Sequence, residues 1–348
     1  MTKTDQRSIG FWLLGVCSMI FVMVILGGVT RLTESGLSMV EWKPVSGFLP
    51  PLSEESWQRA FKMYKNSPEF IKVNFWMTLA DFKTIYWMEF SHRVWGRAIG
   101  IAFLAPFIYF VARRRVDGRL MPKLIIAFIL GGGQGVLGWY MVKSGLIDRP
   151  DVSQYRLAAH LGLAIIIYLY LLWLALGQFS PRGRYSVSTA IRALRLHAAI
   201  IMGWAFLTAI WGAFVAGLDA GHIYNSFPLM GESFAPDHMF SLDPWAVNFF
   251  ENAATVQFTH RVLAITFLLI VIAFWMHAVR APAFSRIRSA SILLAVAAIC
   301  QAGLGIATLL SEVQIEIAAT HQAGALLVLT FSVWAFFETF PKLDRERY

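Results

Sequence analysis

Four histidines in this chain share a setting that suits metal chemistry. His92, His160, His260 and His321 each lie about one helical turn into an apolar stretch, and all four stretches run in the same direction across a membrane. They fall into two pairs, His92 with His160 and His260 with His321. Two imidazoles on neighbouring helices at matching depth can ligate one iron from opposite faces of a flat macrocycle. A lone intramembrane histidine is more often a helix–helix hydrogen bond. Four at equivalent positions in duplicated segments reverse that balance and point to one heme per pair. Zinc or copper fits less well, because neither pair has a cysteine or a carboxylate cluster in its neighbourhood. Cys17 and Cys300 both sit within apolar segments and make neither a disulfide framework nor a zinc site.

The two pairs differ in one residue type. Glu89 precedes His92 by three positions and so shares its helical face, whereas the matching place before His260 is Gln257. A carboxylate inside a membrane bundle is costly and marks a functional site by default. The plain alternative is a pairing of Glu89 with Arg93, Arg97 or the imidazole. The glutamine in the second half shows that the fold does not need the charge, which divides the halves into one chemical and one electron-carrying unit. Arg93 and Arg261 each follow a candidate ligand and can either pair with heme propionates or snorkel to the interface. His197 and His277 lie near the far ends of their helices, and His222 and His238 lie in a loop; none is expected to bind iron. The glycines of Gly131-Gly-Gly-Gln-Gly-Val-Leu-Gly and Gln301-Ala-Gly-Leu-Gly suit either close approach of a large ring or tight helix packing.

Composition says what must position these side chains. Hydrophobic residues make up 57% of the 348 and charged residues only 15%, with mean hydropathy +0.58. A water-soluble core of this size cannot hide that excess, so soluble enzymes and disordered chains are excluded. Runs of about 20 apolar residues predict eight spans: Ile9–Val29, Met88–Ala112, Leu124–Val142, Leu157–Leu176, Leu194–Ala216, Val256–Val279, Ile292–Leu310 and Ile315–Phe337. The first is too long for a signal-peptide core and is expected to stay as an anchor. More than half of the 30 Lys and Arg fall at the termini and in three short connections. All of these lie on one side of an eight-span chain, which places both termini in the cytoplasm and the histidines toward the outer face. The net charge of +9 therefore reflects topology, with no nucleic-acid partner implied.

The chain also repeats itself. Glu89-Phe-Ser-His-Arg-Val returns as Gln257-Phe-Thr-His-Arg-Val, Gln134-Gly-Val-Leu-Gly as Gln301-Ala-Gly-Leu-Gly, and Ala159-His-Leu-Gly as Thr320-His-Gln-Ala-Gly, at nearly constant offsets. The expectation is an all-α integral membrane protein of two tandem, pseudo-symmetric four-helix bundles, unlike the inverted repeats of transporters. Residues 1–176 form the first bundle, with a long outer loop at 30–87; a cytoplasmic linker covers 177–193 and the second bundle 194–348. In the long loop, Ser53 starts an amphipathic helix with Trp57, Ala60, Phe61 and Tyr64 on one face. That face fits the outer leaflet or the bundle mouth equally well. A second long loop spans Gly217–Ala254.

Three segments resemble the signatures of the heme A synthase family: Gly27-Gly-Val-Thr-Arg-Leu-Thr-Glu-Ser-Gly-Leu-Ser-Met, Phe82-Lys-Thr-Ile-Tyr-Trp-Met-Glu-Phe-Ser-His-Arg-Val-Trp-Gly-Arg and Tyr224-Asn-Ser-Phe-Pro-Leu-Met. The likeness covers essentially the whole chain. Lacking an outer-loop cysteine pair, the chain resembles the class shared by alphaproteobacteria and mitochondria, and the absence of an Arg- and Ser-rich presequence favours a bacterial inner membrane. The resemblance implies oxidation of the C8 methyl of heme O to the formyl of heme A for cytochrome oxidase. It implies His92 and His160 about the substrate heme, Glu89 beside the reacting group, and a resident heme b on His260 and His321. Heme O synthase, oxidase assembly factors and the lipid bilayer are the partners it suggests, and a homo-oligomer is compatible with it. The competing reading of the same histidines is a diheme electron-transfer protein linked to quinone. The Glu89–Gln257 difference argues against that reading, and a transporter is disfavoured by the parallel repeat.

Overall fold

The computed structural model describes residues 2–42, 47–145, 152–180, 188–236, 238–281 and 285–341. Its helices are α1 (Lys3–Leu32), α2 (Glu54–Lys65), α3 (Pro68–Lys72), α4 (Leu79–Ala112), α5 (Met121–Gly145), α6 (Gln154–Phe179), α7 (Thr189–Gly217), α8 (Asn248–Glu251), α9 (Ala253–Arg280), α10 (Ser285–Leu310) and α11 (Ile315–Glu338). No strand occurs among the described residues. Eight of these helices, α1, α4–α7 and α9–α11, are long and apolar enough to cross a membrane. Only a helix satisfies its own backbone groups in lipid, which is why such long apolar runs fold this way. The basic stretch at 182–184, the middle of the expected linker and the basic C-terminal tail lie outside the described residues.

The main departure from expectation is at α4. The helix begins nine residues before the apolar run, at a capping box in which Thr78 and Asp81 satisfy each other's backbone N–H groups. The extension carries Phe82, Ile85 and Tyr86, and α2 lays Trp57, Phe61 and Tyr64 against them. The Trp57–Tyr86 ring centroids are 5.0 Å apart and those of Phe61 and Phe82 5.1 Å. The apolar face of α2 is thus covered by protein, which decides between the two placements open for it. Beneath it Tyr64 donates to Glu69 Oε2 at 2.9 Å and accepts from Asn74 at 2.8 Å.

Helix neighbours follow the sequence repeat. In the first half α1 packs on α4 and α6, and α5 packs on α6 and touches α4; in the second, α7 packs on α9 and α11, and α10 on both of those. Between halves, α6 meets α7 and α11 meets α1 and α6. One buried cluster centres on Ile9, Leu13, Leu171 and Ala175, another on Leu194, Ile201, Val271, Phe274 and Leu294. Tyr168 and Thr330 hydroxyls join the halves at 2.8 Å.

Candidate functional site

Each of the four histidines rests on a glycine of an adjacent helix. A Cβ built on Gly27 of α1 would lie 3.5 Å from His92 Nε2, and one on Gly138 of α5 3.0 Å from His160 Cε1. In the second half, a Cβ on Gly212 of α7 would lie 3.3 Å from His260 Cε1, and one on Gly305 of α10 2.9 Å from His321 Cε1. The glycines therefore serve as seats for imidazoles, which neither reading of the glycine-rich stretches had singled out. The helix that carries the later histidine of each pair is fixed in the same way in both halves. Gln134 Nε2 donates to the His160 carbonyl at 3.0 Å, and Gln301 Nε2 to the His321 carbonyl at 2.9 Å. His92 lies close enough to His160, and His260 to His321, for their charges to interact.

The donor set fits a heme. Two imidazoles per pair, each backed by a glycine rather than a side chain, suit axial ligation of a macrocycle. Among the described residues no group of three or more His, Cys, Asp or Glu could hold a bare metal ion. His260 Nδ1 and His321 Nδ1 are buried without a hydrogen-bond partner. A buried polar atom is rarely left so.

Glu89 and Arg93 do more than the sequence revealed. Glu89 is 2% exposed and ion-paired with Arg93, whose Nε lies 2.9 Å from Oε1 and whose Nη2 contacts the same oxygen. Its other oxygen accepts from Ser38 Oγ and from the Met39 N–H, each at 2.7 Å. Arg93 also donates to the carbonyls of Met39 at 3.0 Å and Glu41 at 3.2 Å. The pair thereby holds the chain leaving α1 across the face of α4. That chain can return because α1 ends in a Schellman motif: the Ser35 N–H reaches the Thr30 carbonyl at 3.0 Å while Glu34 takes φ 51°, a left-handed position usually given to glycine. Ser38 and Met39, the direct contacts of the carboxylate, were not legible as such; their place in the first signature segment was the only signal.

The second half builds the same clamp without the charge. Gln257 Nε2 donates to the Tyr224 carbonyl at 3.1 Å. Arg261 donates to Tyr224, Ser226 and Leu229 carbonyls at 2.9, 2.9 and 3.2 Å. These acceptors are the third signature segment, so the segments are the loops that the Glu–Arg and Gln–Arg pairs tie down. Both arginines spend their terminal N–H groups on those loops. His197 and His277 lie 6.0 Å apart, ring to ring, away from either pair, and His197 Nε2 contacts the Ile270 carbonyl at 3.2 Å.

The Gly27-Gly28 pair that opens the first signature segment serves two helices at once. Gly27 seats His92, while a Cβ on Gly28 would collide with the Gln322 side chain. Gln322 donates to the Val24 carbonyl of α1 at 2.9 Å, and it is the residue after His321.

Fold and site together define a multi-span helical membrane protein with two matched pairs of half-buried, glycine-seated histidines. The chain belongs to the COX15-CtaA family of cytochrome oxidase assembly proteins, whose model matches residues 10–333. It is 50% identical to a Heme A synthase of Parvibaculum lavamentivorans, over 96% of this chain and 94% of that one. Identity to a Heme A synthase of Nitrosospira multiformis is 47%, over 95% of each chain. It is 46% identical to the Heme A synthase COX15 of Bos taurus, over 96% of this chain and 82% of the relative.

Proposed function

We propose that this protein is a heme A synthase, an oxidoreductase that converts the C8 methyl of heme O to the formyl of heme A through a hydroxylated intermediate. The observation that carries the reading is the single chemical difference between two otherwise matched sites, Glu89 against Gln257, in a chain about half identical to named heme A synthases. In this reading residues 1–176 form a substrate unit and residues 194–348 a relay unit. His92 and His160, backed by Gly27 and Gly138, hold heme O in the first. His260 and His321, backed by Gly212 and Gly305, hold a resident heme b in the second. Methyl to formyl removes four electrons, and the resident heme supplies a one-electron outlet for them.

The residues of the chain position and shield. Glu89 places a fixed carboxylate three residues from His92, where it can stabilise positive charge developing on the oxidised carbon. A carboxylate offers about four lone-pair sites, and four donors from Ser38, Met39 and Arg93 already fill them. Glu89 can therefore take a proton only by releasing one of these donors, which makes it a held charge first and a base second. Arg93 and Arg261 act first as clamps on the loops over the two sites, with propionate pairing a further role for the buried Nε of Arg261. The setting is a bacterial inner membrane with the histidine ends toward the periplasm, and delivery of heme O and removal of heme A involve heme O synthase and oxidase assembly factors.

The test uses a host that makes heme O but no heme A. Wild-type protein should produce the hydroxylated heme and heme A, resolved by chromatography and mass analysis. Glu89→Gln, which copies the second half, should keep both hemes and lose product. Folded wild-type protein that holds only heme B and leaves heme O untouched would instead favour the diheme electron carrier.

A further inference from the structure

The two halves are matched at the histidines but not at the seam between the second and third helices of each. In the second half α9 and α10 pack along their length. The α10 stripe Ser291, Ala295 and Ala298 is buried and leads to Gly305, the seat of His321, and its two alanines join the buried cluster that holds Phe267, Val271 and Phe274 of α9. The same stripe of α5 is Leu124, Phe128, Gly131 and Gly135, leading to Gly138, the seat of His160. Residues at i, i+4 and i+7 share a face, so Gly131, Gly135 and Gly138 form one track. Here the track is uncovered. Phe128 is 48% exposed where Ala295 is 6%, and Gly131 is exposed where Ala298 is 3%.

The facing helix matches. Gly100 of α4 is exposed, and neither it nor Gly131 or Gly135 has a neighbour within 4 Å of an added Cβ. Pro106 stands in α4 where α9 has the fully buried Phe274, and an interior proline kinks a helix. The stacked rings of Phe103 and Phe128, 6.5 Å apart, bridge the seam. A cofactor that stays needs a closed bundle, whereas a lipid-soluble substrate that becomes product needs a way in and out.

We propose that the α4–α5 seam is a lateral entrance through which an apolar-edged metalloporphyrin passes between the bilayer and the first histidine pair. It rests on the first pair being the substrate site. The glycine track gives a wide flat ring a path without side chains that ends at His160. The sealed α9–α10 seam keeps the second heme in place.

The experiment uses full-length protein with both hemes bound, in lipid nanodiscs, and follows heme transfer to added apomyoglobin. Phe103→Cys and Phe128→Cys are joined by a short, reducible thiol crosslinker, with the exposed Cys300 replaced by serine. Stapling should slow loss of one heme by about tenfold or more, an effect on the dissociation rate, and reductant should restore it. The other heme should be retained throughout. Gly131→Trp, whose side chain enters open space, should slow the same heme without a crosslink. Unchanged loss in both variants overturns the entrance. Crosslinks that join two chains overturn it too, and make the α5 face an interface between copies. A His92→Ala protein that keeps the exchangeable heme defeats the substrate assignment instead, so the two failures are distinct.

Discussion

The four glycine seats differ in clearance, and that difference predicts a graded outcome for one substitution repeated four times. Alanine adds a Cβ and nothing more. At Gly305 that carbon would sit 2.9 Å from His321 Cε1 and at Gly138 3.0 Å from His160 Cε1, against 3.3 Å at Gly212 and 3.5 Å at Gly27. Carbon atoms meet comfortably at about 3.5–4.0 Å, so the first two imidazoles must yield by roughly half an ångström. Cε1 lies between the two ring nitrogens, so pushing it also turns the nitrogen that would face iron. Overpacking of this kind costs about 1–3 kcal/mol, and replacing glycine by alanine within a helix returns about 1 kcal/mol. A net loss near 1.4 kcal/mol is about tenfold in retention. Gly305→Ala and Gly138→Ala should each weaken one heme by about that factor, Gly212→Ala should change little, and Gly27→Ala should be neutral or slightly stabilising. The assay is heme content per purified chain and its rate of transfer to apomyoglobin. Equal losses at Gly27 and Gly305, or no loss at either tight seat, would show that the imidazoles do not rest on these glycines.

Other substitutions probe separate contacts. His260→Ala should remove the spectrum of the resident b-type heme while the first site still loads, and a spectrum unchanged in the purified variant would refute that ligand. Ser38→Ala removes a 2.7 Å donor from a buried carboxylate, and such charge-assisted bonds are worth about 1.5–3 kcal/mol. Product formation should fall by about an order of magnitude with heme content intact; a rate equal to wild type would mean Glu89 needs no such anchoring. Tyr64→Phe takes the 2.9 Å donor from Glu69 and the acceptor from Asn74, so it should destabilise the α2–α4 packing by about 1–3 kcal/mol. Protease cleavage in the loop around α2 reads this out, and wild-type resistance would count against it.

Much of this architecture was readable because the bilayer leaves few options. Eight apolar runs became eight helices, with starts up to nine residues ahead of the expected bounds. The start of α4 was missed because its extension is stabilised by tertiary contact with α2, through Phe82 and Tyr86, and hydropathy does not register such contacts. At the site, the histidines and Glu89 were visible as types at equivalent positions. Their supports were not. Ser38 and Met39 lie about 50 positions from Glu89 and meet it only once α1 ends in a left-handed turn at Glu34. Gly212 carries no local signal, since one glycine in a membrane helix is unremarkable until a ring is seen against it.

Gly27 and Gly28 sit side by side on α1, one bearing on His92 and the other receiving the side chain next to His321. His92 of the first pair and the neighbour of His321 in the second are thus referenced to a single dipeptide of α1. With a heme on each pair, as proposed, the surface loops and the seam beside α5 are free to move while the spacing between the two hemes is ruled off against this one peptide unit. Electron tunnelling falls steeply with distance, so its rate would then be insulated from the motions that admit substrate. Under that proposal the molecule is loose where it exchanges material and stiff where it exchanges charge.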